Sequence, residues 1–246
     1  MIRIFENEKK AAQVIASEMA EVLKDEEYPL FCLAAGGTPR TSYQEFIKIC
    51  KKDDLISKAE FIGLDEWVGV PSETVGSCYQ MLDEDLFKHL PIDKEQIHFF
   101  DTMVADLEGE CQKADEFLKK HKISYSLMGV GMNGHIGLNE PDALIKDYCS
   151  IVELSEITKD VAPKYFKEKV VLEEGITLGI KQIIDSKRVV VAIFGKHKAS
   201  IVKKIIEENT TEDIPAKTFL GHSHIDFFLD EDAAGLLIDR RGTVRS

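Results

Sequence analysis

Hydrophobic and polar positions in this chain switch between two periods. Short apolar runs at 2–5, 30–35, 59–64, 97–100, 125–130, 188–194 and 225–229 have the length and the β-branched or aromatic content of buried strands. Between them, apolar residues recur at helical spacing. The first such stretch, 7–24, carries Ala11, Ala12, Val14, Ile15, Met19, Val22 and Leu23 on one side. Helices are likewise expected over 39–49, 76–89, 104–121 and 197–208. The interval 151–184 is less regular. It reads as a strand at 151–154, a helix over 156–168, a strand at 170–172 and a helix over 175–184. The polar tail, 239–246, is expected to fray. Strands alternating with helices predict a Rossmann-like α/β fold: a mainly parallel sheet with helices on both faces. No repeat, low-complexity run or Pro/Gly-rich linker interrupts the pattern, so a single domain over 1–246 is expected.

Composition narrows the function. A net charge of −13 argues against nucleic acid or an anionic membrane as the main partner. It also means that a phosphorylated ligand must find locally positive ground. No apolar run reaches the ~18 residues of a transmembrane helix, and the first ten residues lack a signal-peptide layout. The five cysteines are scattered without a Cys-x-x-Cys pair, which suggests neither a disulfide framework nor a zinc site. A reducing cytoplasm is the expected compartment, and no metal or cofactor is expected.

The candidate chemistry sits where strands end. The run 125–130 breaks into Gly129-Val130-Gly131-Met132-Asn133-Gly134-His135-Ile136-Gly137-Leu138-Asn139-Glu140-Pro141. An imidazole, two amides and a carboxylate follow a buried strand within a few residues. In open α/β sheets, loops at the carboxyl ends of strands are where ligands bind. A second strand end, Gly36-Gly37-Thr38-Pro39-Arg40-Thr41-Ser42, opens a helix and points backbone N–H groups and hydroxyls at one place. That is an anion cradle, though taken alone it is equally well a tight turn with an N-cap. A third, Asp65-Glu66-Trp67, places two acids after a buried strand, where one can serve as a general base or merely cap a helix. A fourth, Gly195-Lys196-His197-Lys198, puts lysines in a helix's first turn, against the dipole, which hints at a bound anion. In a parallel sheet these ends fall along one edge and can converge on one crevice.

Together the four motifs resemble, over nearly the whole chain, the glucosamine-6-phosphate deaminase/isomerase family, which shares its fold with 6-phosphogluconolactonases. The resemblance implies that Gly36, Gly37, Thr38, Ser42 and Lys198 hold a sugar phosphate. It implies that Asp65 moves a proton between C2 and C1, and that His135 with Glu140 opens the sugar ring. The chain departs from the family pattern at Asn133, where an Asp is usual, and at Trp67, where a Tyr is usual. These features, with Gly76-Ser77-Cys78 and 174–179, resemble the branch assigned to galactosamine 6-phosphate. The family's phosphate-binding Arg is missing from 160–167, and Lys164 is the candidate replacement. A Lys would hold phosphate as a point charge without Arg's bidentate fork.

The expected function is therefore isomerisation with deamination of an amino-sugar 6-phosphate, galactosamine 6-phosphate before glucosamine 6-phosphate. Two further readings on the same fold are a hydrolase of a phosphorylated lactone and a non-catalytic sugar-phosphate sensor. The lactonase has no use for a C2 base, which counts against it. A sensor is expected to have lost Asp65 or His135. The C4 epimer is left open by the sequence, as is assembly into a homo-oligomer.

Overall fold

A computed structural model describes residues 1–51, 54–141, 144–168, 170–208, 213–238 and 243–245. The apolar runs form parallel strands β1 (Ile2–Phe5), β2 (Leu30–Leu33), β3 (Glu60–Gly63) and, after the short β4 (Asp65–Trp67), β5 (Ile97–His98) and β6 (Tyr125–Gly129). After β7 (Ser150–Glu153) and β8 (Glu174–Thr177) come β9 (Arg188–Ile193), β10 (Ile225–Asp230) and β11 (Thr243–Arg245). Among the described residues the main sheet has eight strands in the order β11-β1-β10-β9-β6-β2-β3-β5, and every pairing in it is parallel.

The two-residue period of the central strands sorts their side chains to opposite faces. Leu30, Cys32, Met128, Val189 and Val191 enter one core, and Phe31, Leu33, Tyr125, Leu127 and Val190 enter the other. A strand that is apolar on both faces has to be covered on both. Helices α1 (Glu8–Asp25), α2 (Arg40–Cys50) and α3 (Cys78–Asp85) lie over the second core. Helix α4 (Leu107–Lys120), with α6 (Ile180–Ile184) and α7 (Ala199–Ile206) beyond α5 (Glu156–Val161), covers the first. Truncating a fully buried central residue such as Leu127 is expected to cost ~2–5 kcal/mol.

The periodic helices begin where their caps dictate. The Asn7 side chain accepts from the Lys10 N–H at 3.0 Å and starts α1. The Ser77 side chain accepts from the Gln80 N–H at 3.0 Å and starts α3.

The irregular interval departs in part from its expected elements. Residues 170–172 are not a strand, and 175–177 belong to β8 rather than to a helix, which begins only at Ile180. The helix expected over 156–168 ends at Val161 and tightens into a 3₁₀ turn, Ala162–Tyr165. Asp65–Trp67 is likewise a strand, β4, in a second, antiparallel sheet ordered β4-β8-β7. Its register pairs Asp65 with Thr177 and Trp67 with Gly175. Short strands of this kind are specified by pairing with distant partners more than by their own period. Of the tail expected to fray, Thr243–Arg245 pairs with β1 at the sheet edge, and 239–242 and 246 lie outside the described residues. None of the helices among the described residues is long and apolar enough to cross a membrane.

Candidate active site

Strands β2, β3, β6 and β9 are neighbours in the sheet order, with β3 next to β2 and β9 next to β6. Their carboxyl ends therefore open into one cleft of about 430 Å³, lined by Gly36, Gly37, Thr38, Asp65, His135 and Lys198. The short segment running from α5 through the 3₁₀ turn adds Thr158 and Lys164. Six of the predicted residues thus meet from four strand ends, and Lys164 joins them. Ser42, Asn133 and Glu140 do not line the cleft.

Asp65 stands where the chain leaves β3 for β4, partly accessible from the cleft. Burial, and then the neighbouring Glu66 carboxylate, push its carboxyl up to about 7. A carboxylate with that affinity for a proton is matched to taking one from carbon and returning it near neutral pH. Glu66 has a different task. It is buried, and its oxygens accept the backbone N–H groups of Trp67 (2.9 Å), Cys78 (2.8 Å) and Tyr79 (2.9 Å). It caps α3 and keeps a second negative charge beside Asp65. Two adjacent acids in sequence are therefore one cleft carboxylate and one helix cap.

His135 sits above Gly131. A Cβ on Gly131 would lie 2.2 Å from His135 Nε2, so only glycine lets the ring come this close to the backbone. His135 Nδ1 faces Glu140 Oε2 at 3.2 Å. The Asn133 amide donates to the same oxygen at 2.8 Å, and its carbonyl accepts the His135 backbone N–H at 3.2 Å. The Thr158 hydroxyl donates to Glu140 Oε1. Burial acts to raise the Glu140 carboxyl, but the hydrogen bonds and charge of His135 and the bonds from Thr158 and Asn133 outweigh it and hold it at about 2. Glu140 and Asn133 thus act behind His135, one by charge and one by geometry. Asn139 is a loop fastener: its amide donates to the carbonyls of Ile136 (3.0 Å) and Leu178 (2.9 Å).

Two lysines give the cleft positive ground. Gly36, at φ +96°, turns the chain out of β2 so that Gly37 and Thr38 face the cleft. Lys198 donates to the Val130 carbonyl at 2.6 Å, which draws its ammonium over the end of β6. Burial, and then the Lys164 ammonium, push Lys198 down to about 8. Two cations drawn together beside a Gly-Gly-Thr turn form a place for a dianion. Ser42 lies in the first turn of α2, fully buried, with an Oγ that has no hydrogen-bond partner among the described residues.

Sequence reasoning missed Thr158, Tyr165 and Glu8, all of which line the cleft. Glu8 accepts a hydrogen bond from Thr41 at 2.5 Å. Thr158 could be read only as part of a helix start, since Ser155 caps α5. Nothing in its spacing announces that it reaches Glu140, eighteen residues earlier in the chain.

Comparison with known proteins identifies the family. Residues 6–227 match the family of glucosamine-6-phosphate isomerases/6-phosphogluconolactonase. The glucosamine-6-phosphate deaminase of Thermoanaerobacter sp. (strain X514) is 32% identical over 237 residues, 95% of this chain and 92% of that protein. A solved monomeric glucosamine-6-phosphate deaminase superposes with a TM-score of 0.89 at 30% identity, covering 96% of this chain and 100% of its own. A 6-phosphogluconolactonase from Trypanosoma brucei shares the fold, with a TM-score of 0.75 at 19% identity, covering 96% of this chain and 98% of its own. With its match running through all four strand-end motifs, the chain belongs to the glucosamine-6-phosphate isomerase/6-phosphogluconolactonase family.

Proposed function

We propose that this protein isomerises and deaminates an amino-sugar 6-phosphate, releasing ammonia and a ketose 6-phosphate. The observation that carries the reading is the chemistry gathered in one cleft. A carboxyl raised to about 7, a carboxylate-backed imidazole, two lysines and a Gly-Gly-Thr turn all line it. With the phosphate on Lys198, Lys164 and the Gly36–Thr38 turn, the sugar's C1–C2 end is directed toward Asp65 and His135. His135 transfers a proton between the ring oxygen and the C1 hydroxyl as the pyranose opens. Asp65 removes the C2 proton of the open aldehyde, and the electron pair shifts to give an enolamine. The proton returns to C1, leaving a C2 imine. Water adds to the imine carbon, the C–N bond breaks, and ammonia departs. Backbone N–H groups and the lysines are suited to meeting charge that develops on oxygen during these steps.

Galactosamine 6-phosphate is the proposed substrate, on the resemblance of Trp67, Cys78 and Asn133 to that branch. Trp67 and Cys78 both line the cleft, where they can bear on the sugar's hydroxyls. The second reading is glucosamine 6-phosphate, favoured by relatives named glucosamine-6-phosphate deaminase. The deciding experiment measures ammonia and ketose phosphate from both C4 epimers side by side. A higher kcat/KM for the galactosamine epimer is expected. The reverse order moves the assignment to glucosamine 6-phosphate, and turnover of neither epimer removes the proposal.

A further inference from the structure

We propose that Thr158 is a positioning residue that, together with Glu140, sets the tautomer of His135. The proposal rests on the reading of His135 as the ring-opening group, and it follows from counting protons in one buried network. A threonine hydroxyl has a single proton to donate and two lone pairs to accept with. The Thr158 proton goes to Glu140 Oε1. Its lone pairs meet Ser155 Oγ at 3.2 Å and His135 Nδ1 at 3.4 Å. The Ser155 hydroxyl is the donor to Thr158, because its own lone pairs accept from Asn133 Nδ2 and the Thr158 N–H, each at 3.3 Å. With its proton already committed, Thr158 Oγ1 can only accept from Nδ1. Glu140 Oε2, 3.2 Å away on an ionised carboxylate, can likewise only accept from it. Both neighbours therefore require the proton on Nδ1 in the neutral ring, which leaves Nε2 as the atom free for substrate.

The placement of Thr158 adds a second consequence. Its side chain is the buried one of α5, while its neighbour Ile157 is 51% exposed. Three residues beyond α5, Lys164 extends into the phosphate end of the cleft. One hydroxyl thus fastens the segment that carries Lys164 to the carboxylate that orients His135. When the segment is seated, Thr158 supplies the last donor that Glu140 lacks. The imidazole is then held in register with the phosphate grip.

The experiment compares Thr158→Val, which keeps the shape and loses the hydroxyl, with Thr158→Ser, which keeps the hydroxyl. Long-range ¹H–¹⁵N spectra of the full chain report which ring nitrogen of His135 carries the proton, with no substrate present. In wild type and Thr158→Ser, Nδ1–H is expected to predominate. In Thr158→Val, Nδ1 keeps only Glu140 as acceptor and Glu140 loses a donor, so the Nε2–H form is expected to appear beside Nδ1–H, and kcat on the amino-sugar phosphate to fall about ten- to hundredfold while KM changes less than about threefold. Should the valine variant not fold, Thr158→Ala carries the same test. An unchanged tautomer in Thr158→Val, or a raised KM with kcat intact, overturns the proposal. Failure of wild type to turn over any amino-sugar phosphate would sink the substrate assignment instead, and the tautomer spectra would still decide the role of Thr158.

Discussion

Two regions build this cleft by different means. The carboxyl edge of the parallel sheet supplies Gly36–Thr38, Asp65, His135 and Lys198, each fixed to a strand that is buried on both faces. The other region is the segment from β7 to β8, whose strands are short and antiparallel and whose helix buries little beyond Thr158. The contrast shows in the two lysines. Lys198 is half-buried and tied to the Val130 carbonyl at 2.6 Å. Lys164 is exposed, its ammonium resting 4.8 Å from the Tyr165 ring centroid. Groups on the edge are held by the core whether or not ligand is present. Groups on the segment are held by a few polar contacts, so their strength depends on the segment being seated.

The largest effect is expected at the edge itself. Asp65→Asn removes the raised carboxyl and should cut kcat by ~10²–10⁴ and abolish exchange of the C2 proton with solvent, while phosphate binding survives. Undiminished C2 exchange in that variant would take Asp65 out of the reaction. In wild type, with Asp65 at about 7, kcat/KM should fall as pH drops through that value, because protonation destroys the base. The stability has the opposite sense. A carboxyl raised in the folded state holds its proton longer there than in the unfolded chain. Its contribution therefore becomes unfavourable as pH rises from about 4 toward 7. Asp65→Asn should accordingly melt above wild type at pH 8, and a lower melting temperature there would contradict the burial argument.

Next in size is Gly131→Ala. Its Cβ would sit 2.2 Å from His135 Nε2, so the ring must leave its place over the backbone. A kcat loss of about ten- to hundredfold with a folded protein is expected. An active variant with an undisturbed ring would mean that the close approach does not matter to the chemistry.

The lysines sharpen the comparison directly. Lys198→Ala should weaken the hold on phosphate by roughly 1.5–3 kcal/mol, seen as a raised KM. Lys164→Ala should cost less, because an exposed cation is screened by solvent. KM in wild type should also rise as pH passes about 8, where Lys198 loses its proton. A larger effect at Lys164 than at Lys198 would mean that the segment, and not the sheet edge, dominates phosphate binding. The smallest effect is expected for Ser42→Ala. Its hydroxyl is buried, unpaired and outside the cleft lining, so its loss strands no partner. KM should change less than about twofold, and a tenfold rise would restore Ser42 to the phosphate site.

What the chain determined by itself is the sheet edge. Continuous apolar runs such as 125–130 and 188–194 can be buried only in a covered parallel sheet, and that topology alone lines up the loops that follow them. His135, Asp65, Thr38 and Lys198 could be read as one site because each stands within a few residues of such a run. The strand at 151–154 and the start of the helix at 156 were legible, but the reading failed over 162–179 and at the tail. There the elements exist by pairing with partners far away in sequence: Gly175 against Trp67, Thr243 against Ile2. Local period carries no record of such pairings. Thr158 eluded the sequence for the same reason. Its role depends on a hydroxyl meeting a carboxylate from another loop. Only the tertiary structure decided that Glu66 caps a helix while Asp65 faces the cleft, because the two carboxylates differ in surroundings and not in sequence context.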